Sequence, residues 1–213
     1  MIIQFPKHRK ELFFFENVRP ISLIALAVII LSYLFIDPPL AQYFKTISPF
    51  LYRTAKDFTD LIDPKYHYIL WPSLFFIFGY IAKNELWAKR SLLITISVPL
   101  TNLLVELLKR LLGRARPDLL FTEHFYGFTF FSSSNAFYSF PSGHACTIGA
   151  ICGAFACFYP RYWAQLLAAC IILAFSRVMV NAHFLSDVIA GIPIGLLASQ
   201  WIYKLMKKER FKL

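Results

Sequence analysis

Six stretches of the chain are apolar almost without interruption, and short polar or aromatic segments separate them. They run from Pro20 to Ile36, about Tyr66 to Ala82, Ser91 to Leu108, Pro141 to Tyr159, about Tyr162 to Val180 and about Asp187 to Tyr203. Crossing the hydrocarbon of a bilayer takes roughly 17–25 helical residues. The pattern therefore predicts an all-α, six-helix transmembrane bundle, with several spans at the short end of that range. Only Pro160 and Arg161 part the fourth span from the fifth, so that pair also reads as one tight hairpin. Pro72, Pro99 and Pro193 fall inside spans, which membrane helices tolerate when neighbours satisfy the freed backbone groups.

Two segments between the spans carry information. From Asp37 to Lys65, the residues Leu51, Tyr52, Ala55, Phe58 and Leu61 recur at helical spacing, with Arg53, Lys56, Asp57 and Asp60 elsewhere on the wheel. This predicts an amphipathic helix in the first outer loop, either lying at the membrane surface or packed over the bundle. Asp118 to Phe140 is dense in Phe and Tyr. Such a segment suits the headgroup level, where aromatic rings are favoured, and it reads equally as a lipid entrance or as an anchor.

Composition strengthens the membrane reading. The 213 residues are 58% hydrophobic with a mean hydropathy of +0.56, against roughly 45–50% apolar usage in soluble domains. The length suits one integral-membrane domain covering 1–213. Basic residues precede the first span, as in a secretory signal, but Asp37 to Gln42 offers no small-x-small cleavage site, so a retained anchor is expected.

The net charge of +10 invites a nucleic-acid reading until its distribution is considered. Lys7, Arg9, Lys10 and Arg19 lie before the first span, and Lys83, Lys89 and Arg90 lie between the second and third. Arg161 parts the fourth and fifth, and Lys204, Lys207, Lys208, Arg210 and Lys212 close the chain. Together these are 13 of the 22 basic residues. The opposite side holds Lys45, Arg53, Lys56 and Lys65, offset by Asp37, Asp57, Asp60 and Asp63. This asymmetry puts both termini in the cytoplasm, and no nucleic-acid partner is needed to explain the charge. Cys146, Cys152, Cys157 and Cys170 form no CxxC pair and read as small packing residues.

Three polar clusters interrupt the apolar pattern, and the topology brings all three to the non-cytoplasmic side. Ionisable residues at membrane depth are costly and usually functional. Lys109, Arg116 and Arg177 are cations with few acidic partners nearby, so an anion between them would relieve their repulsion. On one continuous helix Lys109 and Arg116 would sit about 10 Å apart axially, and Gly113 is placed to break that helix. By itself the cluster is equally consistent with a charged helix end touching headgroups. Pro141-Ser142-Gly143-His144 opens the fourth span, where free N–H groups, the macrodipole and the bare Gly143 make an anion site. His144 there is either a proton donor or a simple surface residue. His183 and Asp187 are four apart, the spacing of neighbours on one helical face. An Asp that fixes one ring nitrogen leaves the other free as a nucleophile, although such pairs are also common as plain structure.

Taken in order, Lys109 and Arg116-Pro117, then Pro141-Ser142-Gly143-His144, then Ser176-Arg177, His183 and Asp187 form a pattern. It resembles the three-part signature of the type-2 phosphatidic acid phosphatase superfamily at every key position, over about a third of the chain. The resemblance implies two-step phosphoryl transfer without a metal or other cofactor, on a lipid phosphate substrate. His183 is then the nucleophile that forms a phosphohistidine, and Asp187 orients its ring. His144 protonates the leaving group and later activates water. Lys109, Arg116, Arg177, Ser142 and the Gly143 amide hold the phosphoryl oxygens.

The signature leaves a lipid phosphotransferase open, and the charges alone leave an anion transporter open. Expected substrates are undecaprenyl diphosphate, phosphatidylglycerol phosphate, phosphatidic acid or lipid A. The expected location is a bacterial inner membrane, with the site facing the periplasm. Arg110 and Arg114 read either as contacts to a second phosphate or sugar or as headgroup contacts. Glu123 and His124 read as loop residues within reach of a headgroup. The oligomeric state is not legible.

Overall fold

The computed structural model describes residues 18–208, with side chains described from residue 23. Lys7, Arg9, Lys10, Arg210 and Lys212, and the side chain of Arg19, lie outside the described residues. Every regular element among the described residues is helical, apart from one isolated bridge between Arg114 and Phe128.

Helix α1 (Val18–Leu31) passes through a wider π-helical turn, Ser32–Ile36, directly into α2 (Asp37–Lys45). The first apolar run is thus longer than its sequence pattern. Asp37 does not end the run, because its carboxylate is buried and partnered inside the bundle. Helix α3 (Pro49–Leu61) starts on Ser48, whose hydroxyl caps Leu51 N, with Pro49 at the first helical position. It turns Ala55 and Thr59 inward against a later helix, and leaves Phe50 and Leu61 exposed. Helix α4 (Pro64–Phe76) is capped in the same way by Asp63 and continues through a π-turn, Ile77–Ile81.

Helix α5 (Glu85–Leu112) is the longest, extending beyond its apolar run at both ends. It stops where Gly113 takes φ +58, a left-handed conformation that costs glycine little, so its N–H can bond Lys109 O at 2.9 Å. A short α6 (Pro117–Thr122) follows, then the aromatic segment, then α7 (Gly143–Phe158). A single 3₁₀ turn, Pro160–Tyr162, joins α7 to α8 (Trp163–Met179), and α9 (Leu185–Lys208) ends the described chain.

Four helical runs are long and apolar enough to cross a membrane: Leu23–Lys45, Glu85–Leu112, Pro160–Met179 and Leu185–Lys208. Helices α4 and α7, which the apolar pattern also marks, are shorter. Large apolar side chains such as Ile69, Leu103 and Ile172 face outward from the helices. That surface suits acyl chains rather than water, and the protein is a multi-pass membrane protein.

The core is the pairing of α7 with α9. Their backbones touch through glycine: a Cβ on Gly149 would lie 2.5 Å from Ile192 O, and one on Gly195 would overlap Cys146 O. Small residues allow such approach where lipid supplies no hydrophobic drive between helices. The contact fixes the start of α7 against the start of α9, and Ser142 N bonds Asp187 O at 3.1 Å.

Candidate active site

The three polar clusters meet at one end of the bundle. Lys109 lies in the last turn of α5, and its Nζ would be 3.6 Å from a Cβ built on Gly143. Lys109 therefore overhangs the first turn of α7, where the N–H groups of Gly143 and His144 have no partner within the helix. Ser142 is fully buried, and its Oγ accepts from Ala145 N at 3.4 Å, so its hydroxyl serves first as the cap of α7.

Because Gly113 breaks the helix, Arg116 is not held on the same cylinder as Lys109. Three main-chain carbonyls fix its guanidinium: Asn135 O at 3.1 Å, Ala182 O at 3.3 Å and Tyr138 O at 3.4 Å. Arg177, in the last turn of α8, keeps a buried Nε without a hydrogen-bond partner. Its carbonyl accepts from Ala182 N and His183 N, which ties the turn carrying His183 to the helix carrying Arg177. His144 is within electrostatic range of Arg177, His183, Asp63 and Lys109. The structure thus brings Lys109, Arg116, Gly143, His144, Arg177 and His183 to one locus.

His183 is 2% exposed and precedes α9 rather than belonging to it. Its Nδ1 bonds the main-chain oxygen of Ser139 at 2.8 Å, whereas Asp187 Oδ2 stands 3.6 Å away. The expectation that Asp187 itself holds the ring is therefore corrected: His183 and Asp187 do not share a helical face, and the carbonyl of Ser139 is the partner. A carbonyl can only accept, so Nδ1 carries the hydrogen and Nε2 keeps its lone pair. Burial holds His183 well below the usual imidazole pKa, and the charges of Arg177, Arg116 and Lys109 lower it further. The ring is neutral at physiological pH.

Asp187, at the third position of α9, reaches back to Phe184 N at 2.9 Å, as an acidic residue does in a capping box. It also accepts from Ser139 Oγ at 2.6 Å and pairs with Arg114. Arg114 is only 1% exposed, so both expected readings of it, a contact to a second phosphate or sugar and a headgroup contact, are corrected. Its fork spans Asp187 and Asp37, the latter at 2.7 Å, and the rings of Tyr33, Tyr126, Phe128 and Phe184 surround it. Arg110 pairs with Glu106 at 3.1 Å on the surface, and Glu123 and His124 are exposed on the loop after α6. Ser139 and Asp37 were not among the expected site residues. No periodicity or motif marks a serine two positions before Pro141 or an acid at the end of the first span.

Two openings flank the locus. A groove of about 390 Å³ between α4 and α5 is lined by Tyr68, Leu103 and Val105 and ends at Lys109. A cavity of about 570 Å³ opens beside the turn at 179–181, with Lys45, Tyr52, Arg53, Asp118 and Phe121 in its wall. Among the described residues no group of three or more His, Cys, Asp or Glu is placed to hold a metal ion.

Residues 90–211 match the PAP2 superfamily. A segment of 99 residues is 50% identical to a lipid A 1-phosphatase of Rhizobium etli, covering 46% of this chain and 43% of that protein. A lipid A 1-phosphatase of Porphyromonas gingivalis is 28% identical over 151 residues, covering 62% of this chain and 31% of that protein. The chain thus spans less than half the length of these relatives. The fold resembles a transmembrane PAP2-type phosphatidylglycerolphosphate phosphatase of Bacillus subtilis, with a TM-score of 0.61 at 18% identity over 87% of this chain and 96% of that one. It also resembles Aquifex aeolicus LpxE, with a TM-score of 0.58 at 21% identity over 79% of this chain and 95% of that one.

Proposed function

The chain belongs to the PAP2 superfamily, and from that premise we propose that it is a membrane enzyme that hydrolyses a lipid phosphate through a phosphohistidine. One observation carries the reading: His183 is neutral, tied through Nδ1 to Ser139 O, and surrounded by three cations that lower its proton affinity. A nucleophile for phosphorus needs that free lone pair, and phosphoryl transfer otherwise depends on positioning and charge stabilisation.

In this reading Lys109, Arg116, Arg177 and the Gly143 amide hold the phosphoryl oxygens. His183 Nε2 forms a bond to phosphorus as the bond to the lipid oxygen breaks, and His144 gives that oxygen a proton. Water then attacks the phosphohistidine while His144 takes its proton. The P–N bond breaks, and inorganic phosphate leaves a neutral His183. Ser142 supports the site mainly as the cap of α7.

The whole chain 1–213 forms one domain with six spans, α4 and α7 completing the set, and with both termini in the cytoplasm. The site then faces the periplasm of a bacterial inner membrane, and α3 lies at its outer surface. Lipid A is the favoured substrate. The relatives' activity supports it, and so does a cavity with Lys45 and Arg53 in its wall, which has room for a bulky polar head. The groove between α4 and α5 takes an acyl chain.

The test uses purified protein in detergent with lipid A, phosphatidylglycerol phosphate, phosphatidic acid and undecaprenyl diphosphate. Free phosphate is expected fastest from lipid A, and none from His183→Ala. Absence of free phosphate from every lipid rejects the hydrolase. A newly phosphorylated lipid in its place would identify a phosphotransferase, and phosphate-independent solute flux in vesicles a transporter.

A further inference from the structure

The buried chain of contacts behind His183 does not end at Asp187. Ser139 accepts from His183 Nδ1 with its carbonyl and donates to Asp187 with its hydroxyl. Its own N–H bonds the carbonyl of Arg114 at 3.1 Å. Arg114 pairs with Asp187 through Nη1, which also donates to Ser186 Oγ at 2.6 Å, and with Asp37 through Nη2 at 2.7 Å. Asp37 in turn accepts from Ser186 N at 3.0 Å, from the Ser186 hydroxyl and from Tyr126 OH at 3.2 Å. All of Asp37, Arg114, Ser139, His183, Ser186 and Asp187 are 2% exposed or less.

We infer that Asp37, carried by the first membrane-crossing run, is a positioning residue for His183, acting through Arg114, Asp187 and Ser139. This rests on the proposed role of His183 as nucleophile.

Two features separate the chain from ordinary packing. The first is its direction. Every hydrogen bond in it fixes the next group's orientation, and the last one fixes which nitrogen of the imidazole is bare. Four rings surround the Arg114 guanidinium, and the hydroxyls of Ser186, at 2.6 Å, and Tyr126, at 3.0 Å, are its other partners, so the fork is held in one orientation. The second is charge. Two carboxylates bracket one guanidinium, which leaves one net negative charge behind His183. When Nε2 bonds to phosphorus the ring becomes positive, and a fixed negative charge in a low-dielectric site favours that state. Asp37 lies outside residues 90–211, the part that matches the superfamily. The first membrane-crossing run, Leu23–Lys45, therefore positions the nucleophile in this chain and is not only an anchor.

The experiment is rapid-quench phosphorylation of the full-length protein in detergent by a radiolabelled lipid phosphate. Wild type is compared with Asp37→Asn, Asp37→Glu and the packing control Ile62→Ala. Burst amplitude counts competent sites, and the burst rate constant reads the positioning of His183 at each site. Asp37→Asn is expected to lower the rate constant roughly 10-fold or more while amplitude and KM stay within about twofold. Asp37→Glu should recover part of the rate, and Ile62→Ala should change amplitude only. An unchanged rate constant in Asp37→Asn and Asp37→Glu, with only amplitude lost, overturns the inference and leaves the phosphatase reading standing. Failure of the wild type to form an acid-labile phosphoenzyme overturns both.

Discussion

His183 donates from Nδ1 to the main-chain oxygen of Ser139 across 2.8 Å, so the ring is oriented by a carbonyl and not directly by a carboxylate. A side-chain substitution at position 139 cannot remove that carbonyl. Ser139→Ala removes only the hydroxyl bond to Asp187 and should lower kcat by roughly 3–10-fold at unchanged KM. Loss of all activity would mean that the hydroxyl itself touches the reacting groups.

Asp187 has the opposite profile, because it is the charge partner of Arg114 and the cap of Phe184 N as well as the support of Ser139. Asp187→Ala leaves Arg114 paired with Asp37 but strips the Ser139 hydroxyl, Phe184 N and one Arg114 donor of their buried acceptor, and each such loss costs about 1–3 kcal/mol. It should lower the thermal midpoint in detergent far more than His183→Ala, which deletes a neutral ring. Equal shifts in the two variants would refute the network as drawn.

How much of this was readable in the chain depends on sequence distance. Lys109, Arg116, Gly143, His144, Arg177 and His183 sit in short fixed spacings, and the break at Gly113 follows from the αL preference of glycine. Asp37 is different: its partners Arg114 and Ser186 lie 77 and 149 positions away. From sequence alone it counted as an outer-loop acid offsetting Lys45. Arg114 is similar, since an arginine two positions before Arg116 reads as a contact to a second phosphate or sugar, or to headgroups, until the fold shows four rings around it. Helix ends were misjudged where polar residues found buried partners, as at Asp37, or where charged residues continued α5 beyond its apolar run.

His144 should show its role through the leaving group. Proton donation by a placed side chain contributes typically 10²–10⁴-fold, and it matters little when the departing oxygen is already a good leaving group. His144→Ala should therefore lose roughly 10²-fold or more on a lipid phosphate, yet retain most of the burst on an aryl phosphate. Its phosphoenzyme should then persist, because no base remains to activate water. Equal losses on both substrates would remove His144 from the leaving-group side.

Acid should destabilise the protein in part through His183. In the folded state burial and the three nearby cations keep the ring unprotonated, while in the unfolded chain it takes a proton near pH 6.5. The unfolded state then binds more protons below that pH, so this contribution is intact above it and shrinks as pH falls, by up to about 1.4 kcal/mol per unit. Between pH 7.5 and 5.5 the melting temperature of wild type should drop more than that of His183→Gln. Parallel lines would show that His183 titrates alike in both states.

Substrate choice can be tested at the outer cavity without touching the groups around phosphorus. Lys45 stands 4.5 Å over the Phe121 ring, and neither it nor Arg53 forms an ion pair among the described residues. Both are exposed in the wall of the 570 Å³ cavity. An exposed cation contributes modestly and is screened by salt, with a Debye length of about 8 Å at physiological ionic strength. The double variant Lys45→Ala/Arg53→Ala should therefore raise KM about 5–20-fold, the size of two modest charge contacts, for a lipid phosphate bearing a second anionic group. Hydrolysis of phosphatidic acid should change less than about twofold, since that substrate places nothing in the cavity. Added salt should erase the difference between variant and wild type on the larger substrate. Equal KM increases on both lipids would assign the two cations to general attraction of the membrane surface instead of to the headgroup.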